Sequence, residues 1–470
     1  MAEKICLLLL LLMTSGIIVN SSPASQLVEN GKNCKNQALT VYNINTSSYY
    51  ATIQEAIDAP QTLNGHIITV GSGVYFEHVT LDKSLTIHGE DPKTTIIDGG
   101  GVGTVVHINV DNVCITGLTV NSSGRSSPPL DCGIFLDYCA GSNVSGNIVT
   151  NCRYGIYLFH SYGNSLTHNN VSECYEDGVW LYHSGNNSLT GNEASNNRYN
   201  FGVFGASFSD FNNTIDTSNM VDEKPIRYLV GVSDLILDDG TSIGCLYLIN
   251  CDNVTVTELN LTKNGHGLFC WNTTDSQIEN ITSSENNYGI YLQSSEGNTV
   301  NHNFCGGNWV GIGLEDSTRN IVSGNNISDS EKGVSLYKAD SNNVTENTLA
   351  NNLYGIRLFA SSFNHIFHNN MIENTQQVDL ISSYQNYWDN GAEGNFWSDF
   401  PERYPNASEI DGLGVWDTPY IIDEDNQDNY PLVPEFQSPI IVLLFILVPL
   451  LITLLHPRNN EAHRRSRSEY

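Results

Sequence analysis

The sequence predicts an all-β chain: a single-stranded parallel β-helix of coils about 22 residues long, with one C-terminal transmembrane helix. The first observation is a recurring phrase, seen as Tyr154-Gly155-Ile156-Tyr157-Leu158, Tyr288-Gly289-Ile290-Tyr291-Leu292 and Tyr354-Gly355-Ile356-Arg357-Leu358. Its glycines fall at 133, 155, 178, 202, 244, 267, 289, 311, 333 and 355. The steps are 22 to 24 residues, except for one of 42 between Gly202 and Gly244 that holds the irregular stretch Val221 to Asp239. The second observation is that asparagines keep the same phase. They lie nine residues after the glycine at Asn164, Asn187, Asn298 and Asn320, and fourteen after at Asn169, Asn192, Asn303 and Asn325. The third is that the apolar runs alternate, are rich in β-branched residues and are too short for helices. One coil cannot bury its inner face alone, so coils must stack, about 4.8 Å apart, into a continuous core. A leucine-rich horseshoe of similar period would need a Leu-x-x-Leu-x-Leu phase, which the sequence lacks.

The elements follow in chain order. Residues 1–25 read as a secretory signal, with Lys4, an apolar run from Ile5 to Met13 and a small-residue cleavage site at Ser22-Pro23-Ala24. Residues 26–60 form an N-terminal cap. In it, Thr52-Ile53-Gln54-Glu55 is a capping box that opens a short helix to about Ala59, placing Ile53, Ala56 and Ile57 to plug the first coil. The coils fill residues 61–385. Ile156, Leu158, Ile290 and Leu292 face inward, and Tyr157 and Tyr291 between them face out. Glycine and asparagine take the corners, because both tolerate left-handed backbone, and stacked asparagines can form an amide ladder. Residues 386–437 are a C-terminal cap and acidic membrane-proximal segment, in which Tyr387, Trp388, Phe396, Trp397 and Phe400 close the last coil. An uncovered end would leave strand edges open to aggregation. Residues 438–456 are the transmembrane helix; Pro439 to Leu455 carries no charge and sits at the lower limit for spanning a core of about 30 Å. Residues 457–470 are a basic cytoplasmic tail with Arg458, Arg464, Arg465 and Arg467. The expected location is a single-pass cell-membrane protein with its bulk outside.

Composition narrows the function. Asp and Glu number 51 against 20 Lys and Arg, a formal charge of -31. That excess excludes nucleic acid as a partner, since phosphate contacts need Lys and Arg. Asn-x-Ser/Thr sequons run from Asn20 to Asn406, each a glycan acceptor if exported. Cys152 and Cys174 both lie nineteen residues after a repeat glycine. Stacked on adjacent coils, about 5 Å apart, they are within disulfide range, and burial as two free thiols is the equal alternative.

A family resemblance rests on particular residues. Ala51-Thr52-Ile53-Gln54-Glu55-Ala56-Ile57, Val74-Tyr75, Leu85-Thr86-Ile87-His88-Gly89-Glu90 and Ile97-Asp98-Gly99 resemble the cap and first coils of pectin-lyase-like right-handed β-helix proteins. The glycine and asparagine repeats resemble the NosD-type periplasmic copper-binding subfamily, among the carbohydrate-binding and sugar-hydrolase repeats. Gly394-Asn395-Phe396-Trp397-Ser398-Asp399, Asp417-Thr418-Pro419-Tyr420 and Asp428-Asn429-Tyr430-Pro431-Leu432 resemble that subfamily's C-terminal end. The resemblance implies a right-handed helix and a protein like archaeal surface proteins. It implies little about activity, since one fold hosts many functions.

Four chemistries are weighed on the residues. Gly265-His266-Gly267, preceded by Asp238-Asp239, is similar to the polygalacturonase motifs. Their phases within the coil differ by four positions, about 13 Å along a strand, so the histidine and the aspartates are not expected to share a site. His160 and His183 lie five after their glycines on neighbouring coils and are the candidate metal ligands, for copper; three or four ligands are usual. The segment from Asp411 to Asp428 is oxygen-rich and could hold calcium, although the Asp-x-Asp-x-Asp-Gly spacing is absent. Phe135, Tyr157, Trp180, Phe204, Phe269 and Tyr291 all lie two after a repeat glycine, with Phe159, Tyr182, Trp271, Tyr337 and Phe359 four after. They define an outward aromatic stripe suited to the flat faces of sugars, unless a cap or the 221–239 insertion covers it. The expected function is a membrane-anchored, non-catalytic surface protein with a structural or carbohydrate-binding role, its partners the membrane and an extracellular polysaccharide. The alternatives are a polysaccharide lyase- or hydrolase-like enzyme and a NosD-like copper-delivery protein.

Overall fold

A computed structural model describes residues 40–126, 130–238 and 242–434. The signal at 1–25, the transmembrane helix at 438–456 and the tail at 457–470 lie outside the described residues. Among the described residues no helix is long and apolar enough to cross a membrane.

The chain is a parallel β-solenoid of the right-handed type. Each coil contributes three strands, one to each of three faces. The glycine-bearing strands, Cys132–Asp137, Tyr154–Phe159 and Asp177–Tyr182, pair in parallel, with Ile134 opposite Ile156 and Ile156 opposite Val179. Ile134, Ile156, Leu136 and Leu158 are fully buried, so the 22-residue phase puts like residues above one another. At the N-terminal end, the helix Ile53–Asp58 is capped by Thr52, whose hydroxyl accepts the Glu55 N–H at 3.1 Å, and it buries Ile53, Ala56 and Ile57. At the other end Trp388, Trp397 and Phe400 are buried, while Tyr387 is exposed.

Asparagine does more than turn corners. Asn298 donates its backbone N–H and its side-chain amide to Asn320 Oδ1 at 2.9 and 3.1 Å, and Asn320 repeats the gesture to Asn342 at 2.9 and 3.2 Å. A second ladder runs Asn303–Asn325–Asn347–Asn369. A third, unforeseen, runs Asn264–Asn286–Asn308 nineteen residues into the coil. All these asparagines are buried; they satisfy the corner N–H groups that face the core. The repeat glycines, expected at left-handed corners, sit instead in extended strand. A Cβ on Gly311 would stand 2.7 Å from the carbonyl oxygen of Gly333 on the next coil. Left-handed backbone belongs to corner residues outside the repeat-glycine position: glycines such as Gly163 and Gly191 at φ 67 and 65°, asparagines such as Asn186 and Asn272 at 58 and 47°, and also Tyr138, His160 and His183 at 49, 46 and 47°.

The step of 42 residues marks a join between two stacks. Met220–Val221, on the third face of the first stack, pairs antiparallel with the start of Lys224–Val230. That strand then pairs in parallel with Cys245–Ile249 and so founds the glycine-bearing face of the second stack. The last glycine-face strand of the first stack, Tyr199–Phe204, bonds to a corner of the second through Asn200 N to Lys263 O (2.7 Å) and Gly265 N to Phe201 O (2.9 Å). Two cores result. Leu246, Leu248, Leu268 and Leu292 fill the second. Their outward-pointing neighbours Tyr247, Phe269, Trp271 and Tyr291 join the first, against Phe201, Phe211 and Tyr228. The outer face of the second stack thus caps the end of the first. The register also removes Gly202 and Gly244 from the repeat series: Gly202 stands opposite Trp180, and Leu246 opposite Leu268 puts Cys245, one residue on, at the level of Gly267.

Candidate functional site

Parallel stacking in register aligns outward side chains into columns, and on the glycine face of the first stack three such columns are rings. The first runs His107, Phe135, Tyr157, with centroids 5.2 and 5.6 Å apart and planes within 15 and 12°. Trp180 continues it, opposite Tyr157, lying over Gly202, where a Cβ would collide with its ring. The second runs Phe159, Tyr182, Phe204, at 5.6 and 5.4 Å. The third, on the adjoining corner, runs Tyr138, His160, His183, at 4.9 and 5.1 Å. Phe135, Phe159, Trp180 and Tyr182 are half-buried and Tyr138 is 67% exposed, so the rings present edges and faces to solvent. Polar groups flank them: His107 Nε2 lies 3.2 Å from Asp137, and His183 Nδ1 lies 3.2 Å from Asp210.

The expected stripe is therefore real only in part. Phe135 and Trp180 line the open face. Tyr157 is 6% exposed, roofed by its ring neighbours. Phe269 and Tyr291 are buried, because the first stack covers them at the join. Phe204 belongs to the second column, not the first, since Tyr182 is its partner.

His160 and His183 do not fit copper. His160 and His183 stack face to face with planes within 3°, so their in-plane lone pairs do not converge, and His183 Nδ1 is spent on Asp210. Asp210 also accepts from the hydroxyl of Tyr162 (2.9 Å) and the N–H groups of Ala206 and Ser207. Burial raises its pKa, but these bonds together hold it below the usual carboxylate value. Among the described residues no group of three His, Cys, Asp or Glu is placed to hold a metal. Cys152 and Cys174 stand as separate buried thiols in place of a bridge, donating to Thr150 O (3.2 Å) and Ser172 O (3.6 Å). They occupy the slot that Asn286 and Asn308 fill in the second stack. Burial pushes the Cys152 thiol up to about 11 and Cys174 well up, which disfavours the ligating thiolate.

Two carboxylates of the acidic segment are spent on turns. Asp417 accepts from Ser408 N and the Thr418 hydroxyl, and Asp423 accepts from Asp425 N and the Asn426 amide. Asp428 is fully buried and accepts from Asn395 N, Trp397 Nε1 and Tyr430 N at 2.7, 2.8 and 3.0 Å. His266 is buried in the join with Nε2 unpartnered, and burial pushes it down to about 3.

Sequence reasoning missed a cavity of about 410 Å³ between the last glycine-face strand, Gln376–Ile381, and the C-terminal cap. Asn374, Gln376, Gln377, Asp399, Arg403 and Tyr420 line it. One signal was present: Gln377 stands opposite Gly355, where the repeat otherwise demands glycine.

A solenoid of this period, with glycine-face strands and internal asparagine ladders, defines the class of β-helix repeat proteins. Within that class the chain belongs to the NosD family, described as periplasmic copper-binding protein, whose profile matches residues 12–225 and 231–401. It is 34% identical over 115 residues to a cell surface glycoprotein of Methanothermus fervidus, a match covering 24% of this chain and 18% of that relative. Among solved structures, the A-module of an Azotobacter vinelandii mannuronan C-5 epimerase aligns at TM-score 0.33 and 15% identity, over 71% of this chain and 94% of that one. A pectin methylesterase in complex with a hexasaccharide aligns at TM-score 0.32 and 10% identity, over 49% and 86%. The family and the surface glycoprotein both indicate a location outside the cytoplasm.

Proposed function

We propose that this chain is a non-catalytic cell-surface β-solenoid that binds a neutral polysaccharide along the ring columns of its first stack and is held at the membrane by residues 438–456. The observation that carries the reading is the set of three adjacent ring columns with donor and acceptor groups at their margins. Ring faces pack against the C–H face of a sugar while a few polar groups orient it. The distribution of sequons supports the same face. Asn45, Asn121, Asn143, Asn170, Asn186 and Asn212 are exposed or half-buried, and all lie on the other two faces or at corners. Glycans there leave the ring columns bare. The charge of -31 favours a neutral ligand, because an acidic chain would approach against the field of the whole surface.

The test is affinity electrophoresis of the protein against neutral polysaccharides. Phe159→Ala with Tyr182→Ala is expected to weaken retention at least about tenfold, from the loss of two stacking rings at roughly 1 kcal/mol each. Unchanged retention, or release of new reducing ends from the polysaccharide, would refute the reading. Anchoring is checked separately: deleting 438–470 should move the protein from the membrane fraction to the medium.

A further inference from the structure

We propose that the cavity at the C-terminal end of the second stack is a second saccharide site, one that takes a short neutral oligosaccharide or a chain end. It shares the ligand class of the ring-lined face but is a separate site. Trp397, Tyr420 and Arg403 form a three-layer stack, with Tyr420 4.0 Å from Trp397 and the Arg403 guanidinium 4.4 Å over the other face of Tyr420. Arg403 is therefore held flat, and of its donors one is spent on Ile421 O at 3.0 Å. Asp399 stands 3.9 Å from Arg403, beyond hydrogen-bond reach, and is fixed by the Tyr420 hydroxyl (2.9 Å) and by Gln377 Nε2 (3.3 Å).

This places an acceptor and a donor side by side on rigid supports. Vicinal hydroxyls of a sugar match that pair, one donating to the carboxylate and the other accepting from the guanidinium. Gln376 and Gln377 also line the cavity; the Gln377 amide is held by Asn374, Ser398 and Asp399, and Gln376 donates to Val378 O at 2.8 Å. Because Asp399 offsets the charge of Arg403, the pocket selects no net charge, which argues for a neutral sugar over a uronate. A volume of about 410 Å³ lies within the range of small-molecule sites. Gln377 can replace the repeat glycine because, among the described residues, no further glycine-face coil stacks beyond this strand.

The experiment is calorimetric titration of the full chain with maltotriose, cellotriose and laminaritriose, with trigalacturonate as the acidic probe. Gln376 is exposed, so Gln376→Trp fills the cavity without disturbing the core. At least one neutral trisaccharide is expected to bind, with affinity falling tenfold or more in Gln376→Trp at unchanged melting temperature and also in Arg403→Ala. Phe159→Ala with Tyr182→Ala should leave that affinity unchanged while weakening polysaccharide retention, which separates failure here from failure at the ring columns. Binding of none of the probes, binding of trigalacturonate alone, or trisaccharide affinity untouched by Gln376→Trp would each overturn the proposal.

Discussion

Buried titratable residues of this chain carry opposite pH signatures. His266 is held neutral down to about 3 by burial, against 6.5 when free. Its contribution is fully present above pH 6.5 and is lost as pH falls towards 3, because only the unfolded chain takes up the proton. Asp428 is raised from 3.8 to about 6, burial outweighing its three N–H donors. Its contribution is fully present below 3.8 and is lost as pH rises through about 6. Between about pH 4 and 6 the two slopes oppose each other, near one proton each. Urea unfolding across this range should show His266→Phe gaining on the parent as pH falls, and Asp428→Asn losing on it. Parallel pH profiles for parent and variants would show that neither side chain titrates as its burial requires. The buried thiols teach the same lesson at residue scale: Cys152 and Cys174 sit in a ladder slot where the second stack uses asparagine, and neither reaches for the other.

At the scale of the coil, stability resides in ladders as much as in apolar stacking. Asn320 accepts two donors from Asn298 and gives its own amide to Ser295 O, Thr318 O and Asn342. Asn320→Ala leaves the buried Asn298 N–H without a partner and takes the amide away from Ser295 O and Thr318 O, so a loss of roughly 1–3 kcal/mol is expected in denaturant unfolding. A loss under about 1 kcal/mol would mean that water replaces the amide, and the ladder would then be ornamental. The period, the inward aliphatic pair and two of the three ladders are legible in the sequence because each repeats at fixed phase. The third was hidden, since cysteine and serine stand in for asparagine at Cys152, Cys174 and Ser330. The role of glycine was misjudged for a related reason. A residue without a side chain marks a close approach as well as it marks a left-handed turn, and only the facing coil tells which.

At the scale of the molecule, the join decides what the surface can do. Phe269 is fully buried among Phe211, Tyr247, His266 and Tyr291, with ring centroids 4.8 to 5.8 Å away. It points out of one core into the other. Phe269→Ala should cost about 3–5 kcal/mol and weaken the coupling of the stacks. We expect one unfolding transition in the parent to split into two in the variant when followed by calorimetry. A single transition at a lower midpoint would show that hydrogen bonds across the join suffice to couple the cores. The join also limits the candidate site: it covers Phe269 and Tyr291, and on the second half the predicted stripe stays open at Tyr337 and Phe359, stacked at 5.0 Å.

What the sequence determined alone was local and periodic: the solenoid class, the length of the coil, which residues face in, and the columns in which rings and asparagines stack. Repetition fixes these, because each coil meets a near copy of itself. What only the tertiary structure decided was every contact between unlike parts. The covering of Phe269 and Tyr291, the pairing of His183 with Asp210, and the cavity walled by Gln376, Asp399 and Arg403 all join residues from different elements or from far apart in the chain. No period encodes such meetings; they arise where the repeat breaks and one packed body closes against another.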